Sequence, residues 1–156
     1  MAFLDEALAF EPVLIVSADR RSRQLMRTIF DTWSVPADEA VDTLDAAEKL
    51  LFRNPHSAVI CDESLPSGTA NDLFRLLQWQ GMEMPFVVTS ETPWFRLPRS
   101  PSLRVLEKPV NSDLLWEILD DLMEGALARY QHTLDVRDAA EWSCRRMIPS
   151  NEPFLL

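Results

Sequence analysis

The sequence predicts an α/β fold, a doubly wound five-stranded parallel sheet with helices on both faces, followed by a C-terminal helical extension. Three observations carry this. Short apolar runs alternate with segments of helical periodicity along most of the chain. The runs are apolar at successive positions rather than at every second one, as strands covered on both faces require. Three of them stop at a polar residue, Asp62, Thr89 or Lys108, and ligands of such sheets sit beyond the carboxyl ends of the strands.

In chain order, VLIVS (13–17) is the first strand. Asp19 reads as the N-cap of a helix starting at Arg20, on which Leu25, Met26, Ile29, Phe30 and Trp33 share a face. Residues 37–41 form a second strand, the weakest of the five, and a helix over 45–54 follows with Ala46, Ala47, Leu50 and Leu51 aligned. SAVIC (57–61) is the third strand. Asp62 stands at its end, and Pro66 four residues on forbids continuation. Thr69 and Asp72 are spaced as a capping pair for a helix bearing Leu73, Phe74 and Leu77, which Gly81 ends. PFVVT (85–89) and LRVLE (103–107) are the fourth and fifth strands. Asn111 or Ser112 then caps a long helix with Leu115, Ile118, Leu119, Leu122 and Ala126 inward. Between those last strands, SETPWFRLPRSPS (90–102) carries Pro93, Pro98 and Pro101, so no regular helix runs through it.

The length of 156 residues suits one main domain, placed at 1–128, with a helical extension and tail over 129–156. With 25 acidic and 15 basic residues the net charge is −10, which disfavours a nucleic-acid partner. No apolar stretch approaches bilayer length, so a cytoplasmic protein with no membrane partner is expected. Cys61 and Cys144 have no CxxC spacing and no histidine nearby, and they read as ordinary small residues rather than a disulfide or zinc site.

Asp62, Thr89 and Lys108 are expected to converge. The Lys108-Pro109 junction permits a cis peptide, which would turn the lysine inward. A carboxylate, a hydroxyl and an ammonium in one cleft supply a nucleophile, a donor to a phosphate oxygen and a cation, the parts needed to accept and hold a phosphoryl group.

Asp62 with Pro66, Thr89 followed by the small Ser90, and the Lys108-Pro109 pair, in this order on these elements, make the sequence resemble the receiver domain of two-component response regulators over roughly residues 12–128. The resemblance implies a flavodoxin-like sheet and a signalling module rather than an enzyme. It also implies Asp62 as phosphoacceptor, Thr89 as the hydroxyl that follows the phosphoryl group and Lys108 as its counter-charge. A histidine kinase or a downstream signalling protein would be the partner.

The departures are as informative. Receivers usually end the first strand with two adjacent acids that hold magnesium, whereas Ser17 and Ala18 stand here. Asp19, Asp62 and the backbone of Ser64 remain as candidate ligands, so the expected cofactor is none or weakly bound magnesium. Val105 occupies the switch position where the family has Tyr or Phe, and the proline-rich segment replaces the family's fourth helix. The expectation is an atypical receiver with impaired or absent aspartyl phosphorylation, acting through protein-protein interaction. The alternative is a conventional receiver phosphorylated on Asp62 by a histidine kinase. A phosphatase or dehalogenase would want an acid where Ser64 stands, and a flavin protein would want a phosphate loop that SADRRSR lacks. Trp94, Phe95 and Leu97 either fold back on the sheet or form an interaction patch. Beyond Gly125, Leu127, Tyr130, Leu134 and Ala139 give a rough stripe that suits a homodimer or packing on the parent domain equally.

Overall fold

The computed structural model describes residues 11–53, 55–92, 98–126 and 128. In chain order the elements are β1 (Val13–Val16), α1 (Arg20–Thr32), β2 (Ala37–Ala40), α2 (Thr43–Phe52), β3 (Ala58–Asp62), β4 (Ser64–Leu65), β5 (Gly68–Thr69), α3 (Ala70–Trp79), β6 (Phe86–Ser90), β7 (Leu103–Glu107) and α4 (112–126). The main sheet has the order β2-β1-β3-β6-β7, with every pair parallel, the flavodoxin-like arrangement expected.

Because successive side chains of a strand point to opposite faces, uninterrupted apolar strands feed two cores at once. Ile15, Ile60, Val87 and Leu106 pack with Met26 and Phe30 of α1 and with Leu115, Leu119 and Leu122 of α4. On the other face Leu14, Val16, Val59, Phe86 and Val88 pack with Ala46 and Leu50 of α2 and with Leu73, Phe74 and Leu77 of α3.

β2 reads ADEA, and hydrophobicity alone does not make it a strand. It is an edge, and its acids are tied down by neighbouring bases. Arg27 Nη2 lies 2.9 Å from Glu39 Oε2 and donates to the Ala37 carbonyl at 3.1 Å, while Arg23 Nε stands 3.4 Å from Glu39 Oε1. Asp38 has His56 Nε2 at 3.1 Å and Lys49 Nζ at 3.7 Å. Charged side chains of this kind also keep an edge strand from pairing with another chain.

The helix ends follow their local chemistry. Asp19 caps α1, as its position suggested. α2 starts at Thr43, two residues ahead of the expected 45, because the Asp42 carboxylate accepts the Asp45 N–H at 2.8 Å and sets the first turn there. Thr69 and Asp72 form the full capping box of α3. At its other end Gly81 takes φ +71°, and Met82 N–H reaches back to the Leu77 carbonyl at 2.9 Å. Asn111 rather than Ser112 caps α4, its Oδ1 accepting the Leu114 N–H at 3.1 Å.

A feature absent from the sequence-based expectation is the two-residue antiparallel pairing of β4 with β5, which turns through Pro66 and Ser67 directly after Asp62. Gly68 at φ +151° allows it, and a Cβ there would stand 2.9 Å from Asp72 Oδ2. Residues 91–92 and 98–102 are not helical. The expectations for Trp94, Phe95 and Leu97, and those for the extension 129–156, lie outside the described residues. No helix among the described residues is long and apolar enough to cross a membrane.

Candidate functional site

Strand register assembles the cleft. Asp62 pairs with Thr89 across β3 and β6, and Ser90 pairs with Glu107 across β6 and β7, which delivers Lys108 one residue later to the same end. Backbone bonds extend the alignment past the strands: Glu63 N–H donates to the Thr89 carbonyl at 3.0 Å and Lys108 N–H to the Ser90 carbonyl at 2.8 Å. On the other side of β3, Val16 pairs with Cys61, so Ser17 arrives beside Asp62.

The Asp62 carboxylate is held by three side chains. Thr89 Oγ1 donates to Oδ1 at 2.6 Å, Lys108 Nζ lies 3.1 Å from the same oxygen, and Ser17 Oγ donates to Oδ2. Thr89 and Ser17 are buried, and the Asp62 side chain is 15% exposed, enough to reach solvent from a cleft of about 370 Å³. The Lys108-Pro109 peptide is cis. The contacts of Asp62 with Thr89 and Lys108 bring all three residues together.

The remaining candidates are distributed differently. The Asp19 carboxylate accepts the Arg21 N–H at 3.2 Å and the Ser22 hydroxyl at 2.9 Å, and the Ser22 bond, with the Arg21 N–H second, holds its carboxyl below the usual range. Ser64 is exposed and sits in β4 opposite Thr69. Val105 lies on the edge strand β7 and is 37% exposed. As a donor set for magnesium this does not fit. Asp62 already accepts three donors, Ser17 is neutral, Ala18 offers nothing and Asp19 serves the helix cap. Among the described residues no group of three or more His, Cys, Asp or Glu side chains is placed to hold a metal ion.

Sequence reasoning missed two residues. Ser17 appeared only as a lost acid, yet its hydroxyl donates to Asp62 and accepts the Asp19 N–H at 3.1 Å, while its carbonyl accepts from Arg23 Nη1 at 2.7 Å. Its place at the end of β1 was a usable signal. Glu63 accepts from the Ser90 hydroxyl and from Thr92 Oγ1 at 3.2 Å, tying the start of the proline-rich segment to the end of β3. Nothing in the sequence marked it apart from adjacency to Asp62. Cys61 beside them is inert, because burial, with the Asp62 charge adding to it, pushes its thiol far up.

The geometry at these strand ends and the sheet order together define a fold, that of the response-regulator receiver domain. No family model matches the sequence, and no curated protein matches it. The likeness is to solved structures. The chain is similar to the receiver domain of a Francisella response regulator (18% identity, TM-score 0.63, 74% of this chain and 98% of that one). It is similar also to a CheY-like receiver domain from Methylobacillus flagellatus (22% identity, TM-score 0.60, 72% and 98%). A third likeness is to the receiver domain of an HD domain-containing protein from Pseudomonas fluorescens (19% identity, TM-score 0.67, 76% and 98%).

Proposed function

We propose that the chain is a signal-transduction module of the receiver type, not an enzyme, which acts through contact with a protein partner while aspartyl phosphorylation on Asp62 is impaired or absent. The observation that supports this best is the state of Asp62, with both carboxylate oxygens engaged by Ser17, Thr89 and Lys108 and no acid pair beside it. Phosphoryl transfer depends on neutralising charge on the transferring oxygens rather than on covalent work by the protein. Loss of a divalent ion removes on the order of several kcal/mol of that stabilisation, at tenfold in rate per ~1.36 kcal/mol. Lys108, already 3.1 Å from Asp62, is a single charge and a poor substitute for a divalent ion.

In this reading one carboxylate pins the ends of β1, β3 and β6 and the residue after β7, so the strand ends are held without a phosphoryl group. A histidine kinase or a downstream signalling protein is the partner class. The test is incubation with acetyl phosphate and magnesium followed by intact mass. No phosphoryl mass shift is expected, and Asp62→Asn, which keeps the shape and removes the nucleophile, should leave partner affinity nearly unchanged. The conventional reading draws support from the complete Asp62, Thr89 and Lys108 set. A phosphorylated form that alters partner affinity, with Asp62→Asn abolishing the change, would establish that reading instead.

A further inference from the structure

A second site stands away from the Asp62 cleft, in the groove between α1 and α4. Trp33, the C-cap of α1, meets Trp116 of α4 edge to face with ring centroids 4.9 Å apart, and Phe30 backs Trp33 at 5.4 Å. Asp113 and Glu117, one turn apart on α4, line the same groove. From residue 109 to 126 the chain carries Asp113, Glu117, Asp120, Asp121 and Glu124 and no lysine or arginine. Asp121 has Arg104 at 3.5 Å, but among the described residues no base pairs with Asp113 or Glu117.

Three sources of negative potential meet there. Indole rings attract cations through their faces. The last carbonyls of α1 carry the negative end of its dipole, and Trp33 closes that helix. The two carboxylates add formal charge on a protein whose net charge is already −10. A lysine ammonium would answer only the charge. A guanidinium also stacks on indole and forks onto a carboxylate.

We infer that this groove is a docking surface for a partner protein, taking an arginine of a basic segment against Trp33 and Trp116 with Asp113 and Glu117 as its counter-ions. The inference rests on the proposal above only in that the module works through protein contact, and it stands whichever way Asp62 behaves.

The probe is an acetylated tetra-arginine peptide titrated into the full chain by calorimetry and by NMR of the indole N–H signals, with tetra-lysine as the equal-charge control. Tetra-arginine should bind about fivefold more tightly than tetra-lysine and move the Trp33 and Trp116 signals but not that of the exposed Trp79. Asp113→Asn with Glu117→Gln, surface changes that leave the core intact, should weaken tetra-arginine about tenfold. Trp116→Leu should remove the preference for arginine. Equal affinity for the two peptides, unaffected by the carboxylate changes, would reduce the effect to diffuse attraction and overturn the proposal. So would tetra-arginine binding that appears only after Arg129, Arg137, Arg145 and Arg146 are changed to Gln, since the groove would then belong to this chain's own tail. None of these variants touches Asp62, so a phosphorylated Asp62 would refute the functional reading and leave the groove unaffected.

Discussion

At the scale of single residues, what stands beside Asp62 decides what its carboxylate can bind. Ser17 contributes a hydrogen bond where a second acid would contribute a metal ligand. We expect the unaltered protein to saturate with magnesium only above about a millimolar, the range of a weak all-oxygen site. Ser17→Asp with Ala18→Asp should tighten binding by an order of magnitude or more in calorimetry, because Asp62, Thr89 and Lys108 stay in place. Saturation of the unaltered protein below that range would mean that Asp19 leaves its cap to bind the ion. Asp19 and Asp38 carry a second expectation. Burial alone would raise the Asp38 carboxyl, but its bonds to His56 and the Glu39 N–H, with Lys49 nearby, outweigh that and lower it, and the Ser22 and Arg21 bonds lower Asp19. A carboxyl depressed by folding contributes stability that is complete above its unfolded value and disappears as pH falls through the folded value. Stability should therefore fall on the acid side of the ordinary carboxylate range, and Asp19→Asn combined with Asp38→Asn should flatten that fall in urea unfolding measured against pH.

At the scale of elements, the sequence carried most of the fold because most elements are locally self-consistent. VLIV, AVIC and FVVT are apolar enough to be buried on both faces wherever they pair, and the Thr69 and Asp72 spacing marks a helix start unaided. The less legible parts depend on partners distant in sequence. β2 is a strand because Arg23, Arg27, Lys49 and His56 reach its acids from α1, α2 and the approach to β3. The β4–β5 pairing needs Gly68 beside the Asp72 cap. In the site, the three polar strand ends were readable because parallel strands align their ends, whereas Glu63 works through Ser90 and Thr92, nearly thirty residues away. Thr69→Ala should cost about 1 kcal/mol by removing half of the capping box. Gly81→Ala should cost about 1 kcal/mol through the backbone alone, since φ is +71° and no atom lies within 4 Å of the new Cβ. Denaturant midpoints shifted with unchanged slope would agree with both, and no loss at Gly81 would mean that the turn relaxes to negative φ.

At the scale of the whole molecule, two cores on either side of one sheet carry the stability, and their buried members run from Val13 to Met123 among the described residues. Phe30, fully buried beside Trp33, contributes to the first, and Phe74 and Phe86, 5.4 Å apart and edge to face, contribute to the second. Phe30→Ala should accordingly cost about 3–5 kcal/mol, the range for emptying an aromatic site in a packed core. Stability and output should separate along the chain. A chain ending at Ala128 keeps every described member of both cores, so its unfolding midpoint in urea should match that of the full chain. If residues 129–156 or Trp94 and Phe95 form the output surface, the same truncation, or Trp94→Ala with Phe95→Ala, should weaken partner binding or self-association while the midpoint holds. Loss of folding in the truncated chain would place part of the core beyond residue 128 and move the domain boundary. Unchanged association in both variants would place the output elsewhere in residues 1–128, where the acidic groove at Trp33 and Trp116 is one candidate.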